Sequence, residues 1–332
     1  MNAHTPDSRT VSAALALACR APSLHNSQPW RWRLGQHSVH LYADSGRLLA
    51  ASDPSGRELV ISCGTALHHA RAAFTSLGWR TFVHRLPNPA DPEHLASLEF
   101  MPAHGVPAQA VPLARAIADR RTDRRPFLPE PVPRPVLDRL VDAACSEHAT
   151  LTVADTVTAR RELVVAMAAV NELQRHDAEY RTELTVWAGR RLGAVDGVPA
   201  RALRSVHPPE RPMLARDFSA AGDGDLTAPP MDDGAVLAVL STASDDRLAW
   251  LHAGEALSAV LLTATAAGLA SCTLSQIAEA DLPRDAVREA VLGGSGEPQL
   301  LLRIGWPVTS AYPAPSAPRR PLAEVLDRLP QD

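Results

Sequence analysis

A chain of 332 residues, 45% hydrophobic and with a formal net charge of -4, can bury a sizeable core in one large domain or two of ordinary size. That balance argues against a disordered chain and leaves no electrostatic footprint for nucleic acid. All 33 basic side chains are arginine, which excludes a Schiff-base lysine and the lysine of a Walker phosphate loop, so any bound anion must be held by arginine or backbone.

Taken in chain order, Val11, Ala14, Leu15 and Ala18 have helical spacing, Asp7 or Ser8 can cap the helix, and Pro22 ends it. The loop that follows, APSLHNSQPW (21–30), carries Ser23, Asn26 and Ser27, residue types that satisfy backbone groups where a helix stops. Such loops also host binding groups. WRWRLGQHSVHLYA then alternates in polarity about Gly35 and Gln36 and reads as a hairpin with one buried face. A long helix is expected from about Arg57 to Leu77, closed by Gly78.

Residues 102–113 form a Pro-rich linker, followed by a helix-like ARAIADRRTDRRPF. PVPRPVLDRLVDAAC is another helix, while TLTVADT, GAVLAVLST and PQLLLRIGWP read as strands. Mixed helices and strands of this kind give an α+β architecture. Residues 193–234 are rich in Pro, Gly and Asp without sustained periodicity, and are expected to form a lid. The N-terminal segment falls short of the ~20 apolar residues of a membrane span, so a cytoplasmic location is the default expectation.

Residues 57–78 and 247–268 align without gaps, sharing Arg57/Arg247, Gly64/Gly254, Ala66/Ala256, Leu67/Leu257, Thr75/Thr265 and Gly78/Gly268. A glycine inside a helix costs about 1 kcal/mol, so its retention in register points to a close helix contact. The chain therefore reads as two related halves packed face to face, as in a two-fold dimer.

Three patches carry candidate chemistry: APSLHNSQPW, RRTDRRPF (120–127) and PRRPL (318–322). A charge run is ordinarily a solvated face. Together, however, Arg120, Thr122, Arg124, Arg319 and Arg320 offer the guanidinium forks and hydroxyl that a phosphate would recruit in a chain without lysine. GGSGEP (293–298) follows a helix and precedes a strand, the wrong order for a dinucleotide turn. His68, His69 and the remaining histidines read as packing or surface residues, with HExxH absent and no metal expected. Cys19, Cys63, Cys145 and Cys272 form no CxxC pair and read as buried free thiols.

These three patches, in this order, resemble the FMN-dependent nitroreductase superfamily, and the two-half layout with RRTDRRPF resembles its Acg-type branch of actinobacterial proteins. The resemblance implies a nitroreductase-like α+β fold in which a pseudo-dimer buries FMN between its halves. The first half would span 1–113. The second, 114–332, would contain the phosphate-binding arginines, the lid and a C-terminal arm.

By this resemblance Pro22, Ser23, Leu24 and Asn26 approach the flavin from the first half, and His25 faces the substrate pocket. Arg120, Thr122 and Arg124 hold the phosphate and the flavin pyrimidine. Thr273, Leu274 and Ser275 stand where relatives present backbone N–H to the flavin, and Arg319 or Arg320 completes the phosphate clamp. The RRTDRR patch occurs once, so one flavin site per chain is expected.

The function implied is hydride transfer from transiently bound NAD(P)H, through FMN, to a small electron acceptor, by a pseudo-dimer, monomeric or further associated, with no nucleic-acid or membrane partner. The alternative is an FMN-sequestering protein whose lid blocks turnover.

Overall fold

In the computed structural model the described residues are 5–189, 193–203, 211–212, 214–218, 230–231, 234–308 and 314–329. Much of the expected lid at 193–234 therefore lies outside the described residues.

Up to Asp119 the chain builds α1 (Ser8–Ala18), a hairpin of β1 (Trp30–Leu34) and β2 (Ser38–Ala43), the long α2 (Arg57–Ser76), a second hairpin of β3 (Trp79–Arg85) and β4 (His94–Pro102), and α3 (Ala110–Asp119). Next come α4 (Arg134–Cys145), β5 (Thr150–Val153), α5 (Val157–His176), α6 (Ala178–Trp187) and the one-turn α7 (Ala200–Leu203). Two-residue strands β6 (Arg211–Pro212) and β7 (Pro230–Met231) pair in parallel. The order closes with β8 (Val236–Thr242), α8 (Arg247–Ala266), β9 (Ala270–Leu274), α9 (Asp281–Leu292), β10 (Glu297–Gly305) and β11 (Leu326–Arg328).

Local chemistry explains the main boundaries. The Asp7 side chain accepts from the Thr10 N–H and caps α1, as the sequence predicts. Gly78 and Gly268 lie in left-handed conformation just beyond α2 and α8.

The helix expected through 114–127 is different. It begins within the Pro-rich linker, at Ala110, and stops at Asp119. The chain then runs extended, with Thr122 bridged to Ser271 and Phe127 to Pro307. Two features oppose a helix there: the Asp123 carboxylate accepts the Arg125 backbone N–H, and Pro126 disfavours helical geometry at the residue before it.

One sheet has the order β11-β1-β2-β4-β3, antiparallel except for the parallel β11–β1 pair. The other is fully antiparallel, in the order β5-β8-β10-β9. The C-terminal arm thus crosses from the second sheet to extend the first.

Between the sheets α2 packs on α8. A Cβ at Gly64 would fall 2.9 Å from the Cα of Gly254, and one at Gly254 would fall 2.8 Å from the Cα of Gly64. No side chain fits in that contact, which is why both copies keep glycine. Ile61 and Leu251 occupy equivalent positions of the repeat, and each inserts into the other half's core: Ile61 among α4, α8 and the second sheet, Leu251 among α1, α2 and the first. His68 and His69 both contact the Ser258 hydroxyl through Nδ1 at 2.7 Å, adding a polar tie across the helix pair.

Helix α8 is long and apolar enough to cross a membrane by composition alone, but here it is a core helix, largely buried between α2, α4 and the second sheet. Cys19, Cys63 and Cys272 are buried free thiols, whereas Cys145 is exposed at the end of α4, contrary to expectation.

Candidate functional site: an arginine-lined cleft

The loop after α1 winds into a single turn, Leu24–Asn26, with His25, Asn26 and Gln28 all at positive φ. Non-glycine residues occupy that region only when their surroundings enforce it. Here the enforcement is explicit. The Ser23 hydroxyl accepts the Gln28 N–H at 2.9 Å, Ser62 Oγ of α2 accepts the Leu24 N–H, and Thr65 Oγ1 donates to the Pro22 carbonyl at 2.6 Å.

Asn26 joins three distant segments. Its Nδ2 donates to the carbonyls of Gly197 and Pro318, while its Oδ1 accepts from Arg319 at 2.9 Å. Gln28 repeats the pattern, donating to the Val195 carbonyl and accepting the Arg320 N–H. The loop is consequently a knot that holds residues 195–197 and the C-terminal arm in place.

Along the extended Arg120–Phe127 segment, Arg120, Thr122 and Arg124 recur at every second residue, the spacing that places side chains on one side. All three line an open cleft of about 670 Å³, a volume that includes the solvent space at its mouth. From the first half the cleft takes Arg20, Pro22, Ser23, His25 and Asn26, and from the arm it takes Pro315, Ser316, Ala317 and Arg319. Val198, Pro199 and Ala202 form a further wall.

Among the described residues, five guanidinium groups line this cleft and no carboxylate does. Arg120 is only 6% exposed, and its Nε has no partner. Burial lowers its pKa to about 10, assisted by the nearby charges of Arg121 and Arg20. Arg319 is lowered to about 9 by burial and then by Arg120, Arg20 and Arg121. Its Nη atoms are spent on Asn26 Oδ1 and on the carbonyls of Arg20, Ala21, Ala317 and Pro318, which leaves Nε unpartnered. Burying like charges together without a counter-ion is costly, and an anionic ligand is the natural remedy.

At the inner end Arg124 lies 5.4 Å from the Phe218 ring, and His25 meets the same ring edge-on at 6.2 Å. Burial, followed by Arg216 and Arg124, holds His25 well below the usual imidazole pKa, so the ring is neutral. Its Nε2 is buried without a partner.

The expected site residues therefore divide. Pro22, Ser23, His25, Asn26, Arg120, Thr122, Arg124 and Arg319 come together in the cleft. Leu24, Thr273, Leu274, Ser275 and Arg320 are not among its walls. Leu274 is buried in the core, Thr273 is paired with Leu302 in the sheet, and Ser275 Oγ accepts from Arg216 while donating to Glu279. The Arg320 guanidinium stands between Asp44 and Glu324 at 3.7 and 3.6 Å. Sequence reasoning missed Arg20 and Arg121, although Arg20 adjoins APSLHNSQPW and Arg121 lies within RRTDRRPF.

An α+β fold with an arginine-lined cleft where its two halves meet defines the class of protein, and comparison with known proteins narrows it. A model of the nitroreductase family matches residues 117–306. The Rv3131 protein of Mycobacterium tuberculosis (strain H37Rv), named by inference an NAD(P)H nitroreductase, is 46% identical over 332 residues, covering 98% of this chain and 94% of its own. The Acg protein of the same strain, named in the same way, is 41% identical over 323 residues and 95% of each chain. Among solved structures, the FMN-dependent nitroreductase NfnB of Mycobacterium smegmatis in complex with NADPH aligns at a TM-score of 0.41 and 20% identity, covering 65% of this chain and 96% of that one. The chain belongs to the nitroreductase family.

Proposed function

We propose that the protein is an FMN-dependent oxidoreductase that accepts hydride from NAD(P)H and passes electrons to a small acceptor. The observation that carries this reading is the buried, unpartnered Arg120 Nε in a cleft lined, among the described residues, by five guanidiniums and no carboxylate. That donor set fits a phosphate monoester. The family relationship supplies the flavin chemistry to go with it.

In this reading residues 1–113 form the first half and 114–332 the second, and each contributes walls to one site. Arg120, Thr122 and the free Nε of Arg319 hold the phosphate. Pro22, Ser23 and Asn26 bound the flavin from the first half, and Arg124 places a fixed positive charge beside the ring. Bound FMN supplies the two-electron chemistry. His25, neutral and with Nε2 free, offers a hydrogen bond to the acceptor without adding charge. The remaining expected residues, Leu24, Thr273, Leu274, Ser275 and Arg320, serve packing.

Hydrogen bonds to a charged group are worth about 1.5–3 kcal/mol, so Arg120→Ala should weaken FMN binding by roughly 10- to 100-fold in a fluorescence titration. Unchanged affinity would remove the reading's main support.

A second reading is favoured by one observation: Val198, Pro199 and Ala202 wall the cleft, on a segment pinned by Gln28, Asn26 and the Arg47–Asp196 ion pair. A cover that stays shut would make the protein an FMN store. Anaerobic addition of NADPH separates the two, since bleaching of the flavin band supports turnover and its persistence until dithionite is added supports storage.

A further inference from the structure

The cleft holds more positive charge than one phosphate monoester requires. On the reading above, Arg120 and Arg319 face the flavin phosphate and Arg124 lies at the inner end, against Phe218. Arg20 and Arg121 are left over.

These two are neighbours by construction. Arg20 Nη2 and Arg121 Nη1 donate to the same oxygen, the carbonyl of Ala118 at the end of α3, at 3.0 and 2.7 Å. Arg20 Nε also reaches the Ile117 carbonyl, and Arg121 Nη1 reaches that of Arg120. Both guanidiniums are thus fixed by backbone on one helix end, part-exposed, each with N–H groups to spare. Neither forms an ion pair among the described residues. Burial together with Arg20 lowers the Arg121 pKa, with Asp119 acting in the opposite direction. Two forks held side by side on the wall of a ligand cleft, with Asp119 the nearby carboxylate but no ion pair formed among the described residues, match a second phosphate group.

We infer that Arg20 and Arg121 form a second phosphate subsite of this cleft, one that recognises a phosphate ester other than that of FMN. The inference rests on the flavin reading for its division of the arginines. Two sources share this chemistry: the adenosine phosphates of NADPH, which would enter beside bound FMN, and the second phosphate of FAD, which would replace FMN. Because the proposed function makes NAD(P)H the hydride donor, the first is the expected source.

The test is isothermal titration of FMN-loaded protein with adenosine 2′,5′-bisphosphate, and of flavin-free protein with FMN and with FAD, for the wild type and Arg20→Gln/Arg121→Gln. The expected result is at least a tenfold loss of bisphosphate affinity in the variant, with FMN affinity changed less than threefold. A selective loss of FAD affinity instead would support the subsite and assign it to the flavin dinucleotide. Equal losses for FMN and the bisphosphate would place both arginines in the FMN clamp and overturn the proposal, as would no loss for any probe.

Should the double variant fail to fold, Arg121→Gln alone is titrated, and wild-type bisphosphate binding must weaken as salt is raised; salt-independent binding refutes the subsite. Bisphosphate is also titrated into flavin-free wild type. Binding there by a protein that takes up no flavin would refute the flavin reading and leave the subsite standing.

Discussion

Glu58 is buried in the first turn of α2 with one carboxyl oxygen unpartnered, and burial next to Asp53 and Glu279 raises its pKa well above the carboxylate range. Asp53 is raised to about 6, again mainly by burial. For an acid, a raised folded-state pKa means stability that is complete below the unfolded value near 3.8 and lost as pH rises through the folded one. Asp53 alone then destabilises the protein by on the order of 3 kcal/mol above pH 6. Melting temperature should therefore fall between about pH 4 and 6, and Asp53→Asn should flatten that slope. An equally steep profile in the variant would show that Asp53 does not titrate in this window.

At the same residue scale, the functional side chains were legible where their spacing was short. Arg120, Thr122 and Arg124 announce a shared side by alternation alone. Arg319 could be placed in the cleft only once the fold brought it to Asn26, because nothing local distinguishes it from Arg320, whose guanidinium lies between Asp44 and Glu324.

Among the elements, the α2–α8 pair was readable in advance because two glycines kept register through otherwise ordinary apolar helices. Their Cα atoms sit where a methyl group would collide with the opposing helix. Gly64→Ala or Gly254→Ala should accordingly cost about 1–3 kcal/mol or more through overpacking, read as a lower melting temperature. A neutral Gly64→Ala would show that the helices can separate freely.

The helix expected over 114–127 holds only as far as Asp119, for a complementary reason. Its arginines are good helix formers, and the Asp123 turn, Pro126 and the pairing of Thr122 with Ser271 outweigh that preference. Helix α5 carries a helical stripe, Ala159, Leu163, Ala166, Met167 and Val170, that sequence reasoning passed over, whereas α6 buries only Tyr180 and Leu184 and leaves little pattern to read.

For the whole molecule, the C-terminal arm decides how the halves depend on each other. Val325 is 1% exposed in the first core, β11 pairs with β1, and the same arm delivers Arg319 to the cleft. Val325→Ala should lower stability by about 2 kcal/mol and weaken FMN binding in parallel. Loss of stability with unchanged FMN affinity would mean that Arg319 is positioned without the arm's docking.

The two-half organisation was legible from the repeat, and the family from three short patches. The crossing of the arm was not, because a parallel pairing between residues near 32 and 326 leaves no local trace in sequence.

The central claim is one FMN held in one arginine-lined cleft per chain. The most direct test is the visible spectrum of the purified, flavin-saturated protein after removal of free ligand, with bound flavin measured against protein. The account predicts one FMN per chain, falling sharply in Arg120→Ala. Two per chain would mean that each half binds its own flavin, and none would contradict the assignment of the cleft.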